Sequence, residues 1–127
     1  MKWVDGVKFE FDNNIPIYIQ LVEQLKIYII SDSIKSGERL PSVRELALQS
    51  KVNPNTMQKA LVELEELGLI YTERTNGKFV TDNKKLIEKL KHEYAYDIAK
   101  KYFNSMMEIG IDRNDAIKYL EDMGDDK

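Results

Sequence analysis

The sequence predicts a mainly α-helical fold with one small β-hairpin, and three observations lead to this class. Apolar residues recur at three- and four-residue steps over most of the 127 residues, which is the period of a helix face. Glycine and proline interrupt this period and divide it into separate helices. Between residues 70 and 81 two short runs of β-branched and aromatic residues flank the dipeptide Asn76-Gly77, which is typical of a hairpin turn.

A short strand and a first helix are predicted near the start of the chain. Apolar and charged residues alternate over 7–11, which favours a strand. Pro16 suits the first position of a helix. That helix is predicted to run to about Ser33, with an apolar face formed by Tyr18, Leu21, Leu25, Tyr28 and Ile29.

Two further helices follow with very short links. Ser42 and Glu45 have the spacing of a capping box, which predicts a short helix ending near Ser50. Asn53 as the N-cap and Pro54 as the first residue predict the start of a third helix. This third helix is predicted to end at Gly68 and to have an apolar stripe of Met57, Ala60, Leu61, Leu64 and Leu67.

The order of these elements predicts a winged helix-turn-helix domain, because two helices joined by a tight turn precede a hairpin. We assign residues 1–82 to this domain. Residues 83–127 are predicted to form a C-terminal helical dimerisation region, with a long helix that ends at Gly110 and a short helix capped by Asp112. The last residues are expected to be frayed.

The long helix has an apolar face that two appended helices cannot bury by themselves. Such a face usually marks an interface, so we expect a homodimer; packing against the first helix is the alternative. The predicted dimer-interface residues are Leu90, Tyr94, Ile98, Tyr102 and Met106.

Composition argues against an enzyme and against a cofactor. The chain has no cysteine and one histidine, His92, which we expect to be exposed. Thiolate chemistry, a histidine-dependent triad and a zinc site are therefore disfavoured. No apolar run is long enough to cross a membrane and no secretion signal is visible, so we expect a cytoplasmic protein with no membrane partner.

Charge is unevenly distributed along the chain, whose net charge is −3. Residues 35–60 carry five basic and two acidic side chains, whereas residues 108–127 carry seven acidic and three basic ones. Nucleic-acid binding depends on such a local basic patch rather than on the total charge.

The start of the third helix has side chains suited to reading DNA. Asparagine and glutamine pair with adenine, and threonine has a methyl group that fits thymine. Asn55, Thr56, Gln58 and Lys59 lie off the apolar stripe and are predicted to face DNA. For Asn53, base contact and helix capping are equally good explanations.

Three basic residues outside this helix are further candidates for DNA contact. Arg44, near the start of the second helix, could reach a phosphate or a guanine edge; a surface salt bridge is the alternative. Arg74 and Lys78 flank the hairpin tip, where a wing would meet the DNA backbone, although a solvated hairpin would have the same sequence.

Residues 16–80 resemble the DNA-binding domain of GntR-family bacterial transcription regulators. The run GERLPSVRELA at 37–47 carries most of the likeness. VNPNT at 52–56, ALVELEELGLI at 60–70 and the short C-terminal region resemble the YtrA subfamily in particular. The resemblance implies a sequence-specific regulator, mostly a repressor, whose partners are a second copy of itself and a palindromic double-stranded DNA operator.

The resemblance also implies a set of DNA-contacting positions, and two positions depart from the family pattern. Thr75 replaces a wing glycine, and Gln58 replaces a frequent arginine, which shifts the expected base from guanine to adenine. The implied positions are Arg44, Asn53, Asn55, Thr56, Gln58 and Gly77.

Two alternatives stay open at this point. The same fold could present its hairpin to a protein partner without specific DNA readout. A small-molecule effector of unknown identity could bind at the junction of the first and the long helix, with Tyr94 or Tyr102 lining the pocket.

Overall fold

The computed structural model describes residues 9–124, which form five α-helices and one two-stranded antiparallel sheet. The predicted class, mainly α-helical with a small hairpin, is confirmed. The chain divides into two compact units, residues 1–90 and 91–127. The elements are α1 (Ile17–Ile30), α2 (Val43–Ser50), α3 (Pro54–Glu66), β1 (Ile70–Glu73), β2 (Gly77–Val80), α4 (Lys84–Glu108) and α5 (Arg113–Met123).

The strand predicted over residues 7–11 is wrong for the part that lies within the described range, because residues 9–11 form no strand. The extended backbone is bonded to α1 instead. The side-chain amide of Gln24 accepts from the N–H of Glu10 at 3.3 Å and donates to its carbonyl at 2.6 Å. Gln20 bonds Asp12 in the same way, with both distances 2.7 Å. Two glutamine side chains thus take the place of a neighbouring strand.

The core of the first unit lies between α1, α2, α3 and the hairpin. Helix α1 ends at Ile30, about one turn earlier than predicted. Leu86 and Leu90, in the first turns of α4, pack against this core. Burying one large aliphatic side chain contributes about 1.5–3 kcal/mol. The most deeply buried side chains are Leu21, Leu25, Ile34, Leu46, Met57, Leu61, Leu64, Leu69, Ile70 and Val80.

The start of α2 is fixed by the predicted capping box. The N–H of Glu45 donates to Ser42 Oγ at 3.1 Å, and the N–H of Ser42 donates to Glu45 Oε1 at 2.9 Å. The pKa of Glu45 is held below its usual range. The larger cause is the hydrogen bond from the Ser42 backbone, and the second is the hydrogen bond with the Ser42 hydroxyl. A sharp turn with Lys51 at φ +58° then leads into α3.

The hairpin pairs Ile70 with Val80 and Glu73 with Gly77. A third segment, which the sequence suggested was only a connector, lies along the other edge of β2. The N–H of Gly37 donates to the Val80 carbonyl at 2.9 Å, and the N–H of Leu40 donates to the Lys78 carbonyl at 2.8 Å. We call β1, β2 and residues 37–40 together the wing. Because residues 37–40 lead directly into α2, the wing and the start of α2 are held side by side.

The second unit contains most of α4 and all of α5. Asp112 caps α5 as predicted, accepting from the N–H of Asp115 at 2.9 Å. The hydroxyl of Tyr102 donates to the carbonyl of Ala116 at 2.6 Å, and Ala116 is fully buried. Among the helices of the described residues, none is long and apolar enough to cross a membrane.

Candidate nucleic-acid interface

The side chain of Asn53 caps α3. Its Oδ1 accepts from the N–H of Asn55 at 2.7 Å, and Pro54 follows as the first helical residue. The cap satisfies one of the backbone donors that a helix start leaves unpaired. The geometry therefore directly supports capping, which is one of the two explanations that the sequence left open for Asn53.

The next side chains of α3 point away from the core. Asn55 and Gln58 are exposed, and neither side chain has a hydrogen bond or ion pair with another residue of the range 9–124. Thr56 is half-buried between them, while Met57 is fully buried on the opposite face. The first turns of α3 thus combine an anchored apolar face with outward amide groups.

Lys59 is oriented toward α1. Its Nζ lies 4.4 Å from the centroid of the Tyr18 ring, a cation–π contact. The Tyr18 hydroxyl donates to the carboxylate of Glu63, and this bond is the main reason that the pKa of Tyr18 is raised. The three side chains connect α1 to α3, so Lys59 already has a role within the chain.

Lys78 is likewise bound within the chain. Its Nζ lies 3.3 Å from Glu65 Oε1 and 2.9 Å from Thr72 Oγ1, and Thr72 Oγ1 lies 3.1 Å from the same carboxylate oxygen. Glu65 belongs to the last turn of α3, so this contact joins the wing to α3. Arg74, at the wing tip, is exposed and has no hydrogen bond or ion pair with another described residue.

The start of α2 and the wing border a surface cleft of about 420 Å³. Arg44 is exposed on the first turn of α2. Gly77 has a φ of +100°, which favours glycine, and its α-carbon faces the guanidinium of Arg39. The sequence drew attention to Arg39 only as one charge in a basic stretch. Its place beside the wing depends on backbone pairing with residues about 40 positions later, for which a local pattern gives no signal.

The described residues contain no group of three or more histidine, cysteine, aspartate or glutamate side chains placed to hold a metal ion. Among the exposed groups at the start of α2, the start of α3 and the wing tip are the guanidinium groups of Arg44 and Arg74 and the amides of Asn55 and Gln58. These groups bind bases and phosphates by hydrogen bonding and charge, without redox or hydrolytic chemistry.

Among proteins, the chain is similar to two regulators from Bacillus subtilis (strain 168). It is 32% identical over 112 residues to the uncharacterised HTH-type transcriptional regulator YhcF, covering 88% of this chain and 93% of that protein. It is 46% identical over 70 residues to the HTH-type transcriptional repressor YtrA, covering 55% of this chain and 54% of that protein.

Two solved structures have a related fold. A GntR family transcriptional regulator from Listeria monocytogenes is 38% identical with a TM-score of 0.81, covering 88% of this chain and 98% of that one. The DBD of AraR in complex with the operator ORE1 is 28% identical with a TM-score of 0.50, covering 57% of this chain and 90% of that one.

The model of the bacterial regulatory proteins of the gntR family matches residues 17–80, which include α1, α2, α3 and the hairpin. The regulators of this family carry a DNA-binding domain and are not enzymes. The chain therefore belongs to the GntR family of bacterial transcriptional regulators, and within it to the YtrA type.

Proposed function

We propose that this regulator is a homodimeric repressor that binds a palindromic DNA operator and reads its bases with the start of α3. The proposal is carried by the exposed amide side chains of Asn55 and Gln58, which have no hydrogen-bond partner among residues 9–124. They lie on a helix whose opposite face is anchored by buried Met57. A helix of this kind fits the major groove with its N-terminal residues toward the bases.

Base reading falls to residues whose side chains are not used within the chain. Asn55 and Gln58 each offer one donor and one acceptor, which match the N6 and N7 groups of adenine. Thr56, half-buried between them, offers its methyl group to thymine. We therefore expect A·T pairs in each half-site, and Asn53 sets the helix start for these residues through its cap.

We assign the contacts with the DNA backbone to residues around α3. Arg44 on α2 and Arg74 at the wing tip are exposed cations without partners in the described part of the chain. Gly77 has no side chain, so the Arg39 guanidinium can lie close to the wing backbone. Lys59 and Lys78 contribute positive charge while they hold α3 to α1 and to the wing.

A second copy of the chain is proposed to cover the apolar face of α4. Ile98, at the centre of the predicted face, is 66% exposed. Tyr102 helps to hold α5 through its bond to Ala116 and is only partly available to a partner. A two-fold dimer presents two copies of α3, which requires two half-sites in inverted orientation.

The repressor assignment has its support in the relative named YtrA, a transcriptional repressor. The effector pocket predicted near Tyr94 or Tyr102 stays a prediction. The domain boundary that we predict after residue 82, just beyond the last strand, also stays a prediction.

Selection of bound duplexes from a random pool tests the proposal. We expect an inverted repeat with half-site centres about 10 base pairs apart, or a multiple of this, and two chains per duplex. Placing the selected site over a promoter should lower transcription in a purified system when the protein is added. Enrichment of one asymmetric site would contradict the two-fold arrangement, and recovery of no DNA would favour a protein partner for the hairpin.

A further inference from the structure

The arginine side chains of the first unit are not used in contacts within the described part of the chain. All three arginine side chains are exposed, and none forms an ion pair or hydrogen bond with another residue in the range 9–124. Three lysines of the same unit, by contrast, have partners on the chain, namely Lys26, Lys59 and Lys78. Arg44 and Arg74 are already candidates for DNA contact, which leaves Arg39 without an assigned role.

The backbone on both sides of Arg39 is fixed by the wing. The residue forms a bridge to Phe79. On one side of it the Glu38 carbonyl accepts from the N–H of Val80 at 2.9 Å, and on the other the N–H of Leu40 donates at 2.8 Å to the Lys78 carbonyl. An arginine held at three successive residues loses less freedom on binding than one on a mobile loop.

The guanidinium of Arg39 lies directly over Gly77. A Cβ at Gly77 would stand 3.2 Å from Arg39 Nε and 3.4 Å from Nη2, closer than most side-chain contacts. The absence of a side chain at Gly77 therefore leaves room for the guanidinium. Gly77 lies in β2 near the wing tip, so this position places a planar cation on the surface between the wing and α2.

One carboxylate near this cation is already engaged in a hydrogen bond. Arg39 is a minor cause of the lowered pKa of Glu45, whose Oε1 accepts the Ser42 N–H in the capping box. Arg39 forms no ion pair with it. The charge therefore stays available to an external anion. The cleft of about 420 Å³ is lined by Arg39 itself, by Lys78 and by one acidic residue, Glu45, among others.

We propose that Arg39 is a further DNA-binding residue, that it contacts one backbone phosphate, and that Gly77 leaves the room in which its guanidinium lies. This inference rests on the proposed function. It gives the wing glycine a role besides the backbone conformation that its φ of +100° requires. A phosphate contact of this kind positions the protein on the duplex without reading sequence.

Titration of selected operator and of a scrambled duplex with the full-length variant Arg39→Gln tests the contact. The proposed homodimer carries two copies of Arg39, so the substitution removes two phosphate contacts. The slope of log affinity against log salt should become shallower by about 1.8, which corresponds to about thirtyfold weaker binding at 0.15 M salt. The loss should be equal for both duplexes. Lys26→Gln, which removes one charge from α1, is the matched control and should leave the slope unchanged. Thermal melting checks that each variant is folded.

The variant Gly77→Ala and its combination with Arg39→Gln test this role of Gly77. Because a φ of +100° strains alanine in either background, some loss of binding should persist without Arg39. The loss should be larger when Arg39 is present. An Arg39→Gln slope equal to that of the unsubstituted protein would overturn the phosphate contact, and additive effects of the two substitutions would overturn the role of Gly77. If the unsubstituted protein selects no operator, the proposed function itself fails, which is a separate result.

Discussion

Substitutions at Asn53 distinguish the two roles that a polar residue at a helix start can have, namely capping the helix and contacting a base. Its Oδ1 accepts the Asn55 N–H at 2.7 Å, so Asn53→Ala leaves that donor without its cap. Loss of such a cap costs about 1 kcal/mol, within a range of about 0.5–2 kcal/mol. For a domain of this size, 1 kcal/mol corresponds to a fall of about 4–8 °C in the melting temperature.

Asn53→Ser provides the decisive comparison, because serine is also a good N-cap but cannot pair bidentately with adenine. Calorimetry should show most of the lost stability regained in the serine variant, and titration of operator should show affinity close to that of the unsubstituted protein. If the serine variant is stable yet loses specific binding, Asn53 contacts a base and our division between cap and reading residues is refuted.

Three further perturbations test other parts of the structure. Ile98→Glu, on the exposed face of α4, should give monomers in analytical ultracentrifugation, whereas Lys100→Glu should not; a dimer in both would place the interface elsewhere. The capping bonds lower the pKa of Glu45, so their stabilisation is present at neutral pH and is lost as the pH falls through the folded-state value. The difference in melting temperature between the unsubstituted protein and Glu45→Gln should therefore shrink below a pH of about 4, and a constant difference would rule out this linkage. Lys78→Met and Glu65→Ala should each speed amide exchange in β1 and β2, and the double variant should exchange no faster than either single variant. Additive effects of the two substitutions would mean that the ion pair does not hold the wing.

Local chemistry in the sequence predicted the helices and the hairpin well. Ser42 with Glu45 and Asn53 with Pro54 start helices through groups within three residues of each other, so their patterns are readable without a fold. The hairpin itself was predicted by local signals, but its turn spans residues 74–76, and Gly77 is already the first residue of β2.

Features that depend on distant partners were predicted less well. The alternation over residues 7–11 predicted a strand, which is wrong for residues 9–11. The backbone of Glu10 is bonded to Gln24 on α1 rather than to a strand. Helical spacing placed Lys59 off the apolar stripe but gave no sign of the Tyr18 ring that it covers. The position of Arg39 likewise follows from pairing between residues 37–40 and β2.

The central claim is that the exposed amides of Asn55 and Gln58 carry sequence recognition. Its most direct test is the ratio of affinities for the selected operator and a scrambled duplex, measured for the unsubstituted protein and for the double variant Asn55→Ala/Gln58→Ala. The double variant removes four bidentate contacts from the dimer, two in each half-site, and each contributes about 1–3 kcal/mol. We predict that the ratio falls toward one, by at least several hundredfold, while affinity for the scrambled duplex stays the same. A double variant that keeps the original ratio would contradict the claim.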